Sequence, residues 1–67
     1  MMNIVLNGQP HGVAQTCSVA DLVRALGYAD KRIAVERNGQ IVPRSQHVDT
    51  LINEGDRLEI VVAVGGG

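Results

Sequence analysis

A chain of 67 residues has room for one domain, and a domain this small buries only about 60% of the surface its unfolded chain exposes. Its core must be aliphatic, because Tyr28 is the lone aromatic residue, and the stacking platform used by single-strand nucleic-acid binders is absent. Six Lys and Arg are scattered among seven Asp and Glu for a formal net charge of −1, which argues against nucleic acid as a partner.

From Asn3 to Asn7 polar and apolar residues alternate, with Ile4 and Leu6 on one side, and this predicts a first strand. Asn7 and Gly8 break the apolar run Ile4-Val5-Leu6 at once, so no basic segment followed by a long apolar stretch opens the chain. No membrane span is expected, and a cytoplasmic protein is. Gly8-Gln9 is read as the turn into a second strand, Pro10 to Ala14, with Pro10 and Gly12 as its weak points. Cys17 is the single cysteine, which excludes an intrachain disulfide and a zinc site of the usual Cys and His spacing. It is read as a small apolar residue just ahead of a helix. His11 and His47 stand beside no nucleophile or second ligand in the sequence and are read as surface imidazoles, so no metal site is expected.

Ser18 begins the clearest helix. Asp21, three residues on, completes a capping-box pattern, and Val19, Leu22, Val23 and Leu26 follow at the spacing of one helical face. Asp21 and Arg24 share helical spacing and form a stabilising pair, while Gly27 suits the left-handed position that ends helices. A helix of about two turns does not persist alone in water, so its apolar face must pack on a sheet.

Arg32 to Arg37 reads as a third strand, and Asn38-Gly39 as the turn of a hairpin into Gln40-Ile41-Val42-Pro43, where proline ends the ladder. Arg44 to Glu54 reads as a turn-rich connection, with Val48, Leu51 and Ile52 available to the core, and Gly55-Asp56 as another turn. The last strand, Arg57 to Val64, puts Leu58, Ile60, Val62 and Val64 on one face and Arg57, Glu59, Val61 and Ala63 on the other. A run this apolar suits a central strand. Hairpin, helix, hairpin and final strand make a single α+β domain, residues 1–67, with one helix on a mixed sheet of four to five strands. That order is similar to the ubiquitin-like β-grasp, in which the last strand lies inside the sheet and delivers a C-terminal tail.

Here the tail is Gly65-Gly66-Gly67. Residues without a Cβ let another protein's walls come close to the backbone, and three of them span roughly 10 Å when extended. A flexible glycine tail of that length passes a carboxylate through a narrow channel while the folded body stays outside. The end of the chain is therefore read as the functional site, with Gly65 and Gly66 as threading residues and the Gly67 carboxylate as the reactive group. Val61 and Ala63, facing away from the helix, are candidates for an apolar docking surface beside it. Arg44 is a candidate contact to an acidic patch or phosphate of a partner.

The stretch Val35-Glu36-Arg37-Asn38-Gly39-Gln40-Ile41-Val42-Pro43-Arg44-Ser45-Gln46-His47, the turn Glu54-Gly55-Asp56 and the ending Ala63-Val64-Gly65-Gly66-Gly67 resemble the sulfur carriers of thiamine thiazole synthesis, the ThiS family. The resemblance covers essentially the whole chain, and the Ile-Val-Pro-Arg block with the terminal glycines is its specific part. The chain departs from the family in carrying three glycines where the minimum is two, and His47 where relatives often have an aromatic residue. The resemblance implies a chain that is a substrate of enzymes, with no catalytic residue and no cofactor of its own. An adenylating, E1-like activating enzyme using ATP and magnesium would convert the Gly67 carboxylate to a mixed anhydride. Sulfur drawn from cysteine through a cysteine desulfurase would displace AMP and leave a thiocarboxylate, from which thiazole synthase would take the sulfur. The alternatives are a carrier like the small subunit of molybdopterin synthase, whose chains are commonly longer and approach the tail through prolines that Val61 to Val64 lacks, and a ubiquitin-like interaction module without tail chemistry. Deleting Gly66 and Gly67 separates that module from both carriers.

Overall fold

The computed structural model describes residues 1–63, so the expectations for Val64, Gly65, Gly66 and Gly67 lie outside the described residues. Five strands and one helix form: β1 (Met2–Leu6), β2 (Gln9–Val13), α1 (Val19–Ala25), β3 (Ile33–Arg37), β4 (Gln40–Ile41) and β5 (Arg57–Val62), with a 3₁₀ turn at Arg44–Gln46 after β4. The strands lie in the order β2-β1-β5-β3-β4, and β1 and β5 are parallel while the other neighbours are antiparallel. This is the one-helix, mixed-sheet α+β arrangement of the β-grasp. The last strand in the chain is the middle strand of the sheet, held on one edge by β1 and on the other by β3.

Two short turns set the registers on either side of it. Asn38 and Gly39 have φ of 52° and 86°, the paired left-handed backbone of a two-residue hairpin that asparagine and glycine tolerate best. The same chemistry closes the first hairpin. Asn7 and Gly8, at φ of 50° and 80°, form its loop, and Leu6 pairs with Gln9. The turn expected at Gly8-Gln9 is therefore one residue earlier, and β2 begins at Gln9 rather than Pro10. Pro10 is accommodated because β2 is an edge strand, where a missing N–H leaves no ladder bond broken on the outer side.

Helix α1 begins and ends on the signals in its sequence. Ser18 Oγ accepts from the Asp21 N–H at 3.0 Å, and Asp21 Oδ2 accepts from the Ser18 N–H at 3.0 Å. At the other end Gly27 (φ 80°) lets its own N–H reach the Arg24 carbonyl and the Tyr28 N–H reach the Val23 carbonyl, both at 3.0 Å. The first-turn N–H groups that no helix can satisfy internally find carbonyls in the connection that follows β4: Val19 N donates to Thr50 O at 2.9 Å and Ala20 N to His47 O at 3.0 Å. That docking buries Ile52, whose N–H bonds the Cys17 carbonyl. It does not bury Val48 and Leu51, which are 73% and 61% exposed, because the connection follows the helix's polar backbone end and turns these two side chains outward.

The core lies between α1 and one face of the sheet. Val19, Leu22 and Val23 of the helix meet Met2, Ile4, Val13, Val35, Leu58 and Ile60 of the strands, with Val42, Ile52 and Cys17 closing the ends. The other sheet face is wet. Along β5, Leu58 and Ile60 are buried while Arg57, Glu59 and Val61 are exposed, so the strand is flanked on both edges but covered on one face only.

Asp56 fastens the root of β5. It is 7% exposed, and its carboxylate accepts from Arg37 Nε at 2.7 Å, the Asn53 N–H at 2.8 Å and Asn38 Nδ2 at 3.1 Å. Burial by itself would push this carboxyl up. The hydrogen bonds from Asn53, Arg37 and Asn38 and the charge of Arg37 outweigh that and hold it below its ordinary value. A folded pKa depressed below the unfolded value of about 3.9 adds stability that is complete above that pH and disappears as pH falls through the folded value. Asp56→Asn is expected to cost about 1.5–3 kcal/mol at neutral pH, the range for hydrogen bonds to a charged group. In urea titrations on the acid side the gap between the two proteins should close; a gap of constant size would contradict the clasp.

Candidate functional site

The site is the end of β5 and what surrounds it. Val62 pairs with Ile33, and the next residue, Ala63, donates its N–H to the Arg32 carbonyl at 2.8 Å, so β3 escorts the chain as far as Ala63. On the other edge β1 stops sooner: its pairing with β5 covers Val5 with Arg57 and Leu6 with Leu58 before the Asn7-Gly8 turn leads away. Asn7 makes up the difference. Its side-chain amide accepts from the Ile60 N–H at 2.9 Å and donates to the Ile60 carbonyl at 3.3 Å, standing in for a missing strand residue. The strand is therefore anchored in the sheet as far as Ala63, the last described position.

On the wet face beside this end, Val61 is 64% exposed and lies opposite Ala34, and Ala63 is exposed as well. Two pairs further along, Glu59 lies opposite Glu36, two like charges side by side on the same face. The apolar strip at Val61 and Ala63 is thus narrow and bordered by carboxylates.

Arg44 sits in the 3₁₀ turn, exposed, with one guanidinium nitrogen donating to the Lys31 carbonyl at 3.1 Å. That bond brings it to the loop that leads into β3, on the same side of the molecule as Arg32 and Ala63. Of the remaining charges, Arg24 pairs with Asp21 at 3.3 Å and Arg37 with Asp56. Among the described residues no carboxylate lies within 4.0 Å of a side-chain nitrogen of Lys31, Arg32, Arg44 or Arg57.

His47 departs from its sequence reading. It is buried at 7% exposure, its Nε2 lies 3.0 Å from the Val42 carbonyl, and its own carbonyl caps the helix start. The ring plugs the corner where β4 passes into the 3₁₀ turn, a structural post that a polar residue in a turn-rich segment does not announce. His11 is half-buried on β2. Cys17 is buried, and its Sγ lies 3.4 Å from the Ser18 carbonyl. Burial first and the nearby Asp21 charge second push its thiol up, which disfavours the nucleophilic thiolate. Among the described residues no three His, Cys, Asp or Glu side chains are grouped to hold a metal ion, and no helix is long and apolar enough to cross a membrane.

Sequence reasoning singled out Arg44, Val61 and Ala63, and the structure sets Val61 and Ala63 on one strip and Arg44 beside the start of β3. It missed Asn7 and the pair Lys31-Arg32. Adjacent basic residues just before a strand that runs antiparallel to the last one are a usable signal, but only once that pairing is known.

The ThiS family model matches residues 4–67. The chain is similar to the thiazole synthase of Paramagnetospirillum magneticum, with 41% identity over 66 residues, 98% of this chain and 20% of that protein. It is similar to the sulfur carrier protein ThiS of Escherichia coli, with 30% identity over 66 residues, covering 98% of this chain and 100% of that one. Among solved structures it superposes on the crystal structure of the thiamine biosynthesis protein ThiS from Geobacter metallireducens with a TM-score of 0.83 at 35% identity, over 98% of this chain and 100% of that one.

Proposed function

The chain belongs to the ThiS family, and from that membership we propose that it is a sulfur carrier of thiamine biosynthesis whose cargo rides on the carboxylate of Gly67. The observation that carries this reading is that the family match runs through Gly67 itself rather than stopping at the folded body. A carrier of this kind is a substrate of enzymes and not an enzyme. We place it in the cytoplasm, where the ATP that activates the tail is at hand.

The chemistry begins with a poor electrophile. In the site of an adenylating, E1-like enzyme the Gly67 carboxylate oxygen attacks the α-phosphorus of magnesium-bound ATP, and pyrophosphate leaves. The resulting acyl adenylate is a mixed anhydride. The outer sulfur of a persulfide, loaded from cysteine by a desulfurase, attacks its carbonyl carbon and expels AMP to give an acyl disulfide. A second thiol then cleaves the S–S bond, and its oxidation to a disulfide supplies the two electrons that leave a thiocarboxylate at Gly67. The thiocarboxylate sulfur is a soft nucleophile that delivers one sulfur atom without free sulfide, and thiazole synthase is its acceptor. The relative from Paramagnetospirillum magneticum supports that choice, since a protein named thiazole synthase shares 41% identity with nearly the whole of this chain in one fifth of its length.

Every step takes place in a partner's pocket, so this chain supplies reach and a firm root. Gly65 and Gly66 thread the channel, Asn7 and β3 hold the strand behind them, and Val61 and Ala63 offer apolar contact at the entrance. Incubation with the activating enzyme, magnesium, ATP and a sulfur donor, followed by intact-protein mass spectrometry, tests the reading. The expected product is heavier by the difference between sulfur and oxygen, with the change localised to Gly67. A chain that stays at its original mass while a known carrier is loaded in the same mixture overturns the proposal.

A further inference from the structure

The whole chain carries a formal charge of −1, yet the place where it leaves the sheet is basic. Arg32 hands its carbonyl to Ala63, Lys31 precedes it, and the Arg44 guanidinium is tied to the Lys31 carbonyl, so three cationic residues are grouped where β3 begins beside Ala63. All three are exposed, and none has a carboxylate within 4.0 Å among the described residues; Asp30, their neighbour in sequence, also makes no ion pair. Arg44 further lines a groove between α1 and the 3₁₀ turn together with Arg24, Val23 and Val48.

We propose that Lys31, Arg32 and Arg44 form a basic collar at the tail exit that docks an acidic surface at the mouth of the activating enzyme's channel. The inference rests on the sulfur-carrier reading and adds the chemistry by which the partner is recognised. Distance favours a protein surface over the nucleotide. Four residues separate Ala63 from the Gly67 carboxylate, and a chain drawn out along a channel reaches about 3.3–3.6 Å per residue. With the carboxylate at the α-phosphorus, the collar is held at the channel entrance, where it meets the enzyme's outer wall. Exposed cations with no ion-pair partner among the described residues lose little on meeting carboxylates there, and opposite fields on the two proteins speed encounter and orient the tail.

The test is pyrophosphate exchange by the activating enzyme with the full chain as variable substrate. Neutralising the pair in Lys31→Gln/Arg32→Gln should raise KM for the chain about tenfold, with kcat and KM for ATP unchanged. The wild-type KM should rise with ionic strength and that of the double variant, which keeps Arg44, should rise less steeply. Arg57→Gln removes another exposed cation, at the opposite end of β5, and should leave KM where it was. The bond from Arg32 to Ala63 is a backbone bond, so the double variant should keep the wild-type melting temperature. An unchanged KM, an equal rise in Arg57→Gln, or a rise in KM for ATP would each overturn the collar. Absence of exchange with the wild-type chain would instead strike at the carrier reading.

Discussion

Leu58→Ala is expected to lower the unfolding free energy by about 2–5 kcal/mol, the range for emptying a leucine site in a packed core. Leu58 is fully buried at the middle of the sheet, opposite Arg37 on β3 and Leu6 on β1, with its side chain in the cluster beneath α1. The site has little freedom to collapse, since both neighbouring backbones are held by ladder bonds and the helix by capping at each end. A domain of this size commands roughly 0.05–0.15 kcal/mol per residue, so the loss consumes about half of its stability. Urea unfolding with a fixed slope measures it. A cost below about 1 kcal/mol would mean that the core relaxes around the gap, contrary to this packing.

Gly66→Val should do the opposite: leave the fold alone and stop sulfur loading. Gly66 lies three positions after Ala63, the last described residue, and the core under α1 is built among the described residues from positions 2 to 60. A branched side chain there widens the segment that must pass the partner's channel and removes the close backbone approach that glycine permits. Displacing a reacting carboxylate by even an ångström costs on the order of 10²-fold in rate, and a blocked channel costs more. Adenylation rate and urea midpoint, measured on the same preparation, separate the two variants. Leu58→Ala should lower the urea midpoint, and Gly66→Val should lose only the adenylation rate. Equal losses in Gly66→Val would contradict a tail that works outside the folded body; undiminished loading would contradict threading.

Most of the local structure was legible because its causes lie within a few residues of one another. Ser18 and Asp21 close a capping box over three positions, Gly27 ends the helix it follows, and Asn38-Gly39 turns its hairpin as its chemistry requires. Asn7-Gly8 obeys the same rule, but the alternation from Asn3 carried the first strand one residue too far. Residues in the 44–54 connection were legible only in part. Ile52 is buried as its character suggests, whereas Val48 and Leu51 face water and His47 lies inside. Their fates follow from the need to satisfy the helix's first N–H groups, and that need comes from an element more than twenty residues away.

The site divides along the same line. Sequence by itself determined the glycine tail, the apolar strand before it, the capped helix and the two hairpin turns, because backbone conformation and hydrophobic period act between near neighbours. Only the tertiary structure decided that β5 lies between β1 and β3, that Asn7 completes the pairing of Ile60, that Asp56 gathers Arg37, Asn38 and Asn53, and that Arg44 bonds the Lys31 carbonyl next to the bond from Ala63 to Arg32. These arrangements bring together residues from 3 to 53 positions apart. The long-range ones become favourable only when the shared core has closed, since burial of the aliphatic cluster supplies the free energy that holds distant segments together.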